Sequence, residues 1–500
     1  MLATFMEVLD TSVANVALPH IAGSLGAGTE ESTWILTSYL VANAIILPVS
    51  GSLGSLVGRK RLLVACIAVF TLASAACGAA GSLGMIIVAR VLQGVGGGAL
   101  QPIAQAILLE SFPPERRGVA MAVYGMGVVV APIVGPTLGG WITDNYSWRW
   151  IFYINLPIGV LAVLMSLAFV ADPPYARRGR SGPLDYLGFG LLALWVGTLQ
   201  LILDKGQQDD WFRAVWIRWA TVLVVVALVA FVWRELRTPS AIVDLRVLAN
   251  RNFAVGVLLI TVMGAILYAS IALLPLFLQT LLGYPALQSG KAVTPRGFGA
   301  LASMAVVGSL VRRIDGRVLV AFGFTILAAA TWMLGRLNLD VAMRDVVWPN
   351  VIAGVAMGFI FVPLTTLAVG NLRNEQIGNA TGIYNLVRNL GGSAGIAMVT
   401  TLLARGAQAH QAALVRNVTP YDPESQQWLA EVTAALSAQS GPATAAEQAQ
   451  QLLYAIVHQQ AMLLAFVDSF RLLSLMCLGC IALVWLFRKT AAGAPSVGVH

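Results

Sequence analysis

Apolar residues in this chain fall in long runs that short polar segments separate. Each run is long enough for an α-helix to cross the hydrocarbon core of a bilayer, which takes about 20 residues. The pattern predicts an all-α polytopic membrane protein. We place fourteen membrane-spanning helices at approximately 1–21, 32–54, 62–81, 83–108, 119–142, 149–171, 184–204, 214–234, 253–281, 287–311, 316–336, 346–370, 377–404 and 460–487.

Composition supports this assignment. The chain is 58% hydrophobic and 11% charged, whereas a soluble domain carries about 25% charged residues. The net charge of +8 is compatible with nucleic-acid binding, but the basic residues lie in short loops and do not cluster as a binding face. We therefore expect the lipid bilayer, and no nucleic acid, as a partner.

Lys and Arg are distributed unevenly between the two sets of alternate loops. One set, which includes Arg59, Lys60 and Arg117, carries more than twice as many as the other. Because the richer side of a membrane protein faces the cytoplasm, both termini are predicted to be cytoplasmic. The first apolar run lacks a basic flank, so it does not resemble a signal peptide, and we expect the native chain to have further residues upstream of Met1.

Two segments of the chain are similar to each other. The stretch from Gly51 to Arg59 closes the second span, and a related stretch from Gly308 to Arg317 closes the tenth. Spans one to six and spans nine to fourteen thus form an internal repeat, an arrangement typical of transporters with a central site. The predicted units are an N-terminal six-helix half (1–171), two inserted helices with cytoplasmic linkers (172–251), a C-terminal half (252–487) that includes a long periplasmic loop (406–459), and a cytoplasmic tail (488–500).

The polar segment 406–459 has helical character. Trp428, Leu429, Val432 and Leu436 are spaced as one face of a short helix. The helical pattern then runs from Thr444 into the last span, which predicts a helix that protrudes beyond the membrane. A solvated hairpin without a partner is an equally open interpretation.

The fifth span combines small residues with prolines. Gly127, Ala131, Gly135 and Gly139 fall four apart and form a stripe along which another helix can approach closely. Pro132, Pro136 and Gly140 belong to the same segment, and the prolines are expected to bend the helix. We predict a pivot or a seal that packs against span thirteen or its neighbours, with ordinary small-residue packing as the alternative.

Ionisable residues inside spans are rare and indicate function. Glu7 and Asp10 lie on one face of the first span and are candidates for reversible proton binding, because burial disfavours the charged form of a carboxylate. Solvation near the helix end is the alternative for both. Arg90 in span four must meet a carboxylate, carbonyls or water, and the glycines that follow Gln93 leave room for such partners.

The C-terminal half offers further polar candidates. We assign Arg296, Asn385, Arg388 and Asn389, together with Gln93 of the other half, to the substrate pathway. Asp468 and Arg471, three residues apart on the last span, are predicted to form a structural ion pair.

Motifs for enzymatic chemistry are absent from the sequence. It contains no Walker A or HExxH motif, and Gly391 to Gly395, which has the letters of a GxSxG motif, lies inside an apolar run rather than in a strand-to-helix turn. Cys477 and Cys480 have CxxC spacing, but no second pair completes a metal site, so small apolar packing is the favoured interpretation. We predict no enzymatic activity, cofactor or metal, and energy from an ion gradient.

These residues resemble the major facilitator superfamily, specifically its fourteen-span drug:proton antiporters of the EmrB/QacA type. The resemblance covers essentially the whole chain. It is carried by the segments Leu9–Pro19, Arg90–Gly94, Gly135–Gly140, Trp148–Gly159 and Arg388–Gly392, and by the loop motif with Gly51, Gly58, Arg59 and Lys60. Ser55 stands where this loop motif usually has an acidic residue, so a charge-based cytoplasmic latch is in doubt.

The resemblance implies a multidrug efflux permease of a bacterial inner membrane. It would export amphipathic or hydrophobic compounds by alternating access, with proton coupling through Asp10, Glu7 and Arg90. It also implies a periplasmic adaptor of the EmrA type and an outer-membrane channel as partners. A same-fold transporter of a metabolite, or an importer, is the alternative, whereas a membrane enzyme or sensor would require a soluble domain that the sequence lacks.

Overall fold

The computed structural model describes residues 1–113, 116–171, 185–238, 241–311, 313–370, 372–416, 418–419 and 421–488, and within them all regular structure is helical. The predicted linker at 172–184 and the tail from 489 lie outside the described residues. The α-helices are α1 Leu2–Leu25, α2 Thr29–Ser32, α3 Trp34–Val57, α4 Arg59–Ala79, α5 Leu83–Gly98, α6 Leu100–Ser111, α7 Arg117–Asn145, α8 Trp150–Tyr153, α9 Asn155–Phe169, α10 Tyr186–Lys205, α11 Val215–Arg237, α12 Arg251–Thr280, α13 Ala286–Val293, α14 Pro295–Leu310, α15 Gly316–Leu334, α16 Met343–Val369, α17 Asn374–Val415, α18 Pro423–Ser440 and α19 Pro442–Val484.

Each predicted span corresponds to one helix or to two consecutive helices. Twelve of the helical segments within the described residues are long and apolar enough to cross a membrane, so the protein is a multi-pass membrane protein. The first and tenth predicted spans, α1 and α13–α14, fall outside those twelve. The predicted all-α membrane fold is confirmed, and the count of fourteen spans stays a prediction.

Several predicted spans consist of two helices with a single residue between them. That residue is Ala99 in the fourth span, after three consecutive glycines, Ile154 in the sixth, and Thr294 in the tenth, before Pro295. Pro295 begins α14, where its missing N–H costs no intrahelical hydrogen bond. The breaks separate Arg90 from Gln101, and Lys291 from Arg296, onto different helices.

The helix ends meet at two opposite faces. At one face, which we call the basic face, Arg117 donates to Asn374 at 3.1 Å and Arg251 donates to the Leu486 carbonyl at 2.9 Å. The ends of α3, α6, α11, α14, α16 and α19 lie there. The opposite face carries the turns that follow α4, α10 and α12.

Helix contacts form two groups. In the first group α1 packs against α7, and α3, α4, α5 and α9 pack together; in the second, α12 packs against α17, α14 against α16, and α15 against α16 and α19. The groups meet where α17 contacts α3 and α6, and where α7 contacts α14 and α16. The pair α10–α11 lies beside α3.

Residues 406–459 are largely helical. The helix α18 contains the apolar face around Trp428 and packs on α19, which confirms the short helix expected there. Gln459 on α19 donates to the Leu281 carbonyl, just after α12 ends, at 3.2 Å. The 17 residues of α19 that precede Gln459 therefore extend past α12 by about 25 Å, at 1.5 Å per residue.

Candidate functional site

Asp10 of α1 lies in a buried polar cluster. Its Oδ2 accepts a hydrogen bond from Arg90 Nη1 at 2.6 Å, and its Oδ1 accepts from Gln93 Nε2 at 2.8 Å and from Asn155 Nδ2 at 2.7 Å. The side chains of Asp10 and Arg90 are 1% and 0% exposed. Because a carboxylate and a guanidinium can share a dry site only when paired and hydrogen-bonded, this cluster supplies the partner that Arg90 requires.

Arg90 is held on several sides. Its Nε donates to the Ile35 carbonyl at 3.0 Å, and its guanidinium lies 4.2 Å above the Tyr39 ring, within the range of a cation–π contact. A Cβ at Gly94 would lie 2.6 Å from the Tyr39 carbonyl oxygen. Instead of leaving room for partners of Arg90, as expected, this glycine allows α5 to contact α3 closely, which brings the Tyr39 ring onto Arg90.

Glu7 lies in a second buried cluster, one helical turn from Asp10. Its Oε2 accepts from Gln101 Nε2 at 2.6 Å, and its Oε1 accepts from Asn43 Nδ2 at 3.1 Å and from the Tyr39 hydroxyl at 3.3 Å. Glu7 is 4% exposed and Asp10 is 2% exposed, so the alternative that they are solvated at the helix end is wrong.

Residues of α17 complete this second cluster from the other half. Arg388 donates to the side-chain oxygen of Gln101, and also to Asn389 Oδ1 at 3.4 Å. One turn earlier, Asn385 donates to Gln105 Oε1 at 2.7 Å. The predicted residues Asn385, Arg388 and Asn389 therefore lie where the two helix groups meet, close to Glu7.

Arg296 lies apart from both clusters, within the second group of helices. It is 3% exposed, its Nη2 donates to the Ser270 hydroxyl at 3.1 Å, and its buried Nε has no hydrogen-bond partner. The sequence has no acidic residue in the spans from 253 to 404 that could compensate its charge. The structure thus does not bring Arg296 together with the other candidates.

The proline and glycine segment of α7 packs mainly on α1. Pro136 has no N–H to donate to the Pro132 carbonyl, and the Ser12 hydroxyl of α1 donates to that carbonyl at 3.1 Å instead. A Cβ at Gly135 would collide with the Ser12 side chain, and one at Gly139 would lie 2.9 Å from Val13. The stripe at Gly135 and Gly139 therefore approaches α1 and not span thirteen, which was one of the two expected contacts; the other was with the neighbours of that span.

Contact with the other half occurs earlier on α7. A Cβ at Gly125 would lie 3.1 Å from Met304 of α14 and from Phe361 of α16. Gly127 and Gly140 have only looser neighbours, at 3.5 and 4.0 Å, and Ala131 is fully buried. The proline and glycine segment of α7 therefore packs on α1 near its C-terminal end and contacts the second group of helices near its N-terminal end.

The loop motif joins α3 to α4 without an intervening segment. Gly58 has φ 94°, which L-residues with a side chain rarely adopt. Arg59 forms a buried ion pair with Glu110, and Lys60 donates to the Leu167 carbonyl at 2.7 Å. These two basic residues are therefore bound within the first group of helices.

Helices of the two groups contact each other closely near this motif. A Cβ at Gly51 would lie 2.7 Å from the Gly378 carbonyl oxygen, so α3 and α17 touch backbone to backbone. Asn379 accepts from the Asp244 N–H at 3.1 Å and donates to the Asp244 carbonyl at 2.9 Å. Ser55 donates to the Ser52 carbonyl, which is consistent with the expected lack of a charge-based latch at that position.

The predicted ion pair between Asp468 and Arg471 is wrong. Asp468 Oδ2 lies 2.8 Å from His410 Nε2 of α17, whereas Arg471 Nε donates to the Gly335 carbonyl of α15 at 3.2 Å. Although the two residues are one turn apart, their side chains point toward different neighbouring helices, and each finds a closer partner there.

Four residues of the site were missed by sequence reasoning: Tyr39, Asn43, Gln101 and Asn155. Each is a polar side chain inside an apolar run, and that signal was available. In these spans the sequence predictions favour the ionisable Glu7, Asp10 and Arg90, with Gln93 as the one neutral amide, because charged groups carry a higher desolvation cost than amides and hydroxyls.

Comparison with known proteins places the chain in a family. The profile of the Major Facilitator Superfamily matches residues 1–396. The chain is 37% identical over 498 residues to Multidrug export protein EmrB of Escherichia coli strain K12, covering 99% of this chain and 95% of that protein. It is 36% identical over 488 residues to Fatty acid resistance protein FarB of Neisseria gonorrhoeae, covering 97% of this chain and 94% of that protein.

A solved structure has the same fold. The proton:xylose symporter XylE, bound to 6-bromo-6-deoxy-D-glucose, superimposes with a TM-score of 0.61 at 13% identity, covering 98% of this chain and 95% of that chain. The match of the family profile, the near full-length relatives and the shared fold all agree, and this chain belongs to the Major Facilitator Superfamily.

Proposed function

We propose that this protein is a proton-coupled exporter of amphipathic and hydrophobic toxic compounds, which works by alternating access between its two halves. The observation that carries the proposal is the pair of buried carboxylates on α1, Asp10 and Glu7, in networks that extend to Arg388 of the other half. Such a transporter needs a group whose protonation can change and a contact between halves that responds to it. The names of the two relatives, multidrug export and fatty acid resistance, support the substrate class.

In this proposal Asp10 and Glu7 exchange protons, and Arg90 adjusts the proton affinity of Asp10. The ionised Asp10 is stabilised by Arg90, Gln93 and Asn155. Protonation would remove the only acidic contact of Arg90 among the described residues. Because that loss is costly in a dry site, proton binding favours a rearrangement around Arg90, and the exported compound competes with the proton for this state.

We further propose the bacterial inner membrane as the location, with the basic face and both termini in the cytoplasm. The excess of Lys and Arg in the loops of that face supports this orientation. The units 1–171 and 252–487 would be the moving halves. A periplasmic adaptor and an outer-membrane channel are proposed partners, and the part of α19 before Gln459, with α18 packed on it, extends toward the side where an adaptor would bind.

A growth-inhibition screen and a transport assay together test the proposal. Strains with and without the gene are compared against a panel that includes ethidium, a lipophilic cation, and dodecanoate, a lipophilic acid. The compound with the strongest effect is then followed in proteoliposomes under an imposed pH gradient. We expect transport opposite to the proton flow, and no such transport by Asp10→Asn at an unchanged amount of folded protein.

Asp210→Asn is the matched control. Asp210 is a carboxylate at the opposite face, with a side chain 54% exposed, and it pairs with Arg213. It should leave transport unchanged. Normal transport by Asp10→Asn would overturn the proton assignment, and transport in the same direction as the protons would favour the importer alternative.

A further inference from the structure

A single amide, that of Gln101, joins a carboxylate of one half to a guanidinium of the other. Its Nε2 donates to Glu7 Oε2 at 2.6 Å, and its Oε1 accepts from Arg388 Nη2. Glu7, Gln101 and Arg388 are 4%, 6% and 4% exposed. Water therefore has little access to replace either hydrogen bond.

Only one orientation of the Gln101 amide satisfies both partners. An ionised carboxylate can only accept hydrogen bonds and a guanidinium can only donate them. The amide must therefore present its nitrogen to Glu7 and its oxygen to Arg388. This arrangement depends on Glu7 being ionised.

Glu7 differs from Asp10 in its immediate surroundings. Asp10 contacts the guanidinium of Arg90 directly, whereas the hydrogen-bond donors to Glu7 among the described residues are the neutral groups of Gln101, Asn43 and Tyr39. Glu7 thus meets the positive charge of Arg388 only through the Gln101 amide.

Protonation of Glu7 acts on the contact with Arg388 in two ways. The negative charge nearest to Arg388 disappears, so that the buried guanidinium keeps only the oxygens of Gln101 and Asn389. A proton on Oε2 also faces the Nε2 donor of Gln101, and turning the amide to accept that proton would point its nitrogen at Arg388. Both changes weaken the contact between α6 and α17.

We propose that Gln101 is a positioning residue that couples the protonation of Glu7 to closure of the two halves at the basic face. Ionised Glu7 binds Arg388 through Gln101 and keeps that face closed. Protonation of Glu7 weakens the hydrogen bond between Gln101 and Arg388, and the face can then open. The proposal rests on the proposed function and adds to it the element through which the proton acts.

The direction of this coupling, in which protonation of Glu7 opens the basic face, is the one that a proton-driven exporter requires. A proton that enters from the opposite face would open the basic face, where it can leave and the exported compound can bind. Loss of the proton restores the Glu7–Gln101–Arg388 contact and closes the basic face again. A coupling of the reverse sign would open the basic face when no proton is bound.

Several charged or titratable groups surround Glu7. They are Asp10 on its own helix, Tyr39 on α3, Arg90 on α5, Tyr124 on α7 and Arg388 on α17. The tyrosines ionise near pH 10 in water and arginine above pH 12. Of this set, the carboxyl groups are therefore the ones that acidification can neutralise, and the variants below test Glu7.

The experiment measures closure directly as a function of pH. Spin labels are placed at two exposed positions of the basic face, Ser111→Cys and Glu375→Cys, after the four buried cysteines have been changed to alanine. The distribution of distances between the two labels is recorded by pulsed electron paramagnetic resonance between pH 5 and pH 8. In the wild-type background we expect the longer, open distance to grow as the pH falls.

Variants identify the residues responsible. Gln101→Leu should remove the pH dependence. Gln105→Leu is the matched control, because Gln105 also accepts a hydrogen bond across the interface, from Asn385, but does not contact Glu7; it should keep the pH dependence. Glu7→Gln should remain open across the pH range.

The outcomes are distinct. A response that survives Gln101→Leu, or that Gln105→Leu abolishes equally, overturns the role of Gln101. Absence of any response in the wild type, or retention of the response in Glu7→Gln, overturns the role of Glu7. If Gln101→Leu does not fold, Gln101→Met, which also lacks the amide, takes its place. Since the distances need no transported compound, failure of the proposed function would show only in the transport assay.

Discussion

The two halves of this protein hold their intramembrane charges in different ways. In the N-terminal half the buried cation Arg90 directly contacts the carboxylate of Asp10, and Glu7 lies one turn away. In the C-terminal half the spans from 253 to 404 bury the cations Arg296 and Arg388 and contain no acidic residue. Of these two cations, Arg388 is the one that reaches a carboxylate, and it does so across the interface through Gln101.

This difference separates two roles. In the proposed mechanism the groups that gain and lose protons lie on α1 of the N-terminal half, whereas the C-terminal half provides the fixed positive charge of its buried arginines. Because an arginine does not lose its proton in proteins, a change of protonation on α1 changes the balance of charge across the interface. The following predictions change one side of this comparison at a time.

Arg90→Met should have the largest effect. It leaves Asp10 buried without its cation, and breaking a buried pair in this way costs about 3–5 kcal/mol. We expect a much lower melting temperature in detergent and loss of proton-driven transport. Addition of Asp10→Asn should recover part of the stability but not the transport; equal stability of Arg90→Met and the wild type would contradict the pairing.

Arg296→Met should have the opposite effect on stability. Arg296 has no carboxylate partner, and a charged residue near the centre of a membrane helix costs about 2.5–3.5 kcal/mol on insertion scales. We expect a higher melting temperature by the same assay, with transport of an anionic compound reduced if Arg296 lies on its pathway. A fall in melting temperature would show that Arg296 is compensated after all.

Gly135→Leu should cost less, about 1–3 kcal/mol for overpacking. The new side chain would collide with Ser12 and displace its hydrogen bond to the Pro132 carbonyl. We expect proton-driven transport to fall more than the amount of protein inserted. Gly140→Leu is the control, since a Cβ there meets only Val16 at 4.0 Å; equal damage by both variants would remove the special role of the α1–α7 contact.

Asp468→Asn should have the smallest effect. It weakens the pair with His410, whose side chains are 57% and 30% exposed, and exposed ion pairs contribute about 0–1 kcal/mol. Melting temperature and transport should stay close to those of the wild type. A large loss of transport would mean that charge in the C-terminal half also takes part in coupling.

Much of the architecture could be predicted from the sequence because it depends on local patterns. Length and hydrophobicity located the apolar helices, and the i, i+3 spacing placed Glu7 and Asp10 on one face of the first of them. The interruption at Ala99 was not predicted, because three glycines in an apolar run fit a continuous membrane helix equally well. No local pattern shows that Gln101, two residues further along the chain, lies between Glu7 and Arg388, and so a central part of the site remained hidden.

Contacts between distant segments were harder to predict. Asn155 lies 145 residues from its partner Asp10, and no local pattern links them. The same limitation explains the wrong pair of Asp468 with Arg471. The sequence shows that these two residues are close on one helix, but it does not show that other helices place His410 and Gly335 beside them. The glycine stripe correctly indicated close packing but not which helix it packs against.

The central claim is that protons are exchanged on α1, with Asp10 as the essential group. Its most direct test is a count of the protons released when the exported compound identified by the screen binds to purified protein in a weakly buffered solution. The account predicts release by the wild type and by Arg296→Met, and none by Asp10→Asn. Equal release by Asp10→Asn would contradict it.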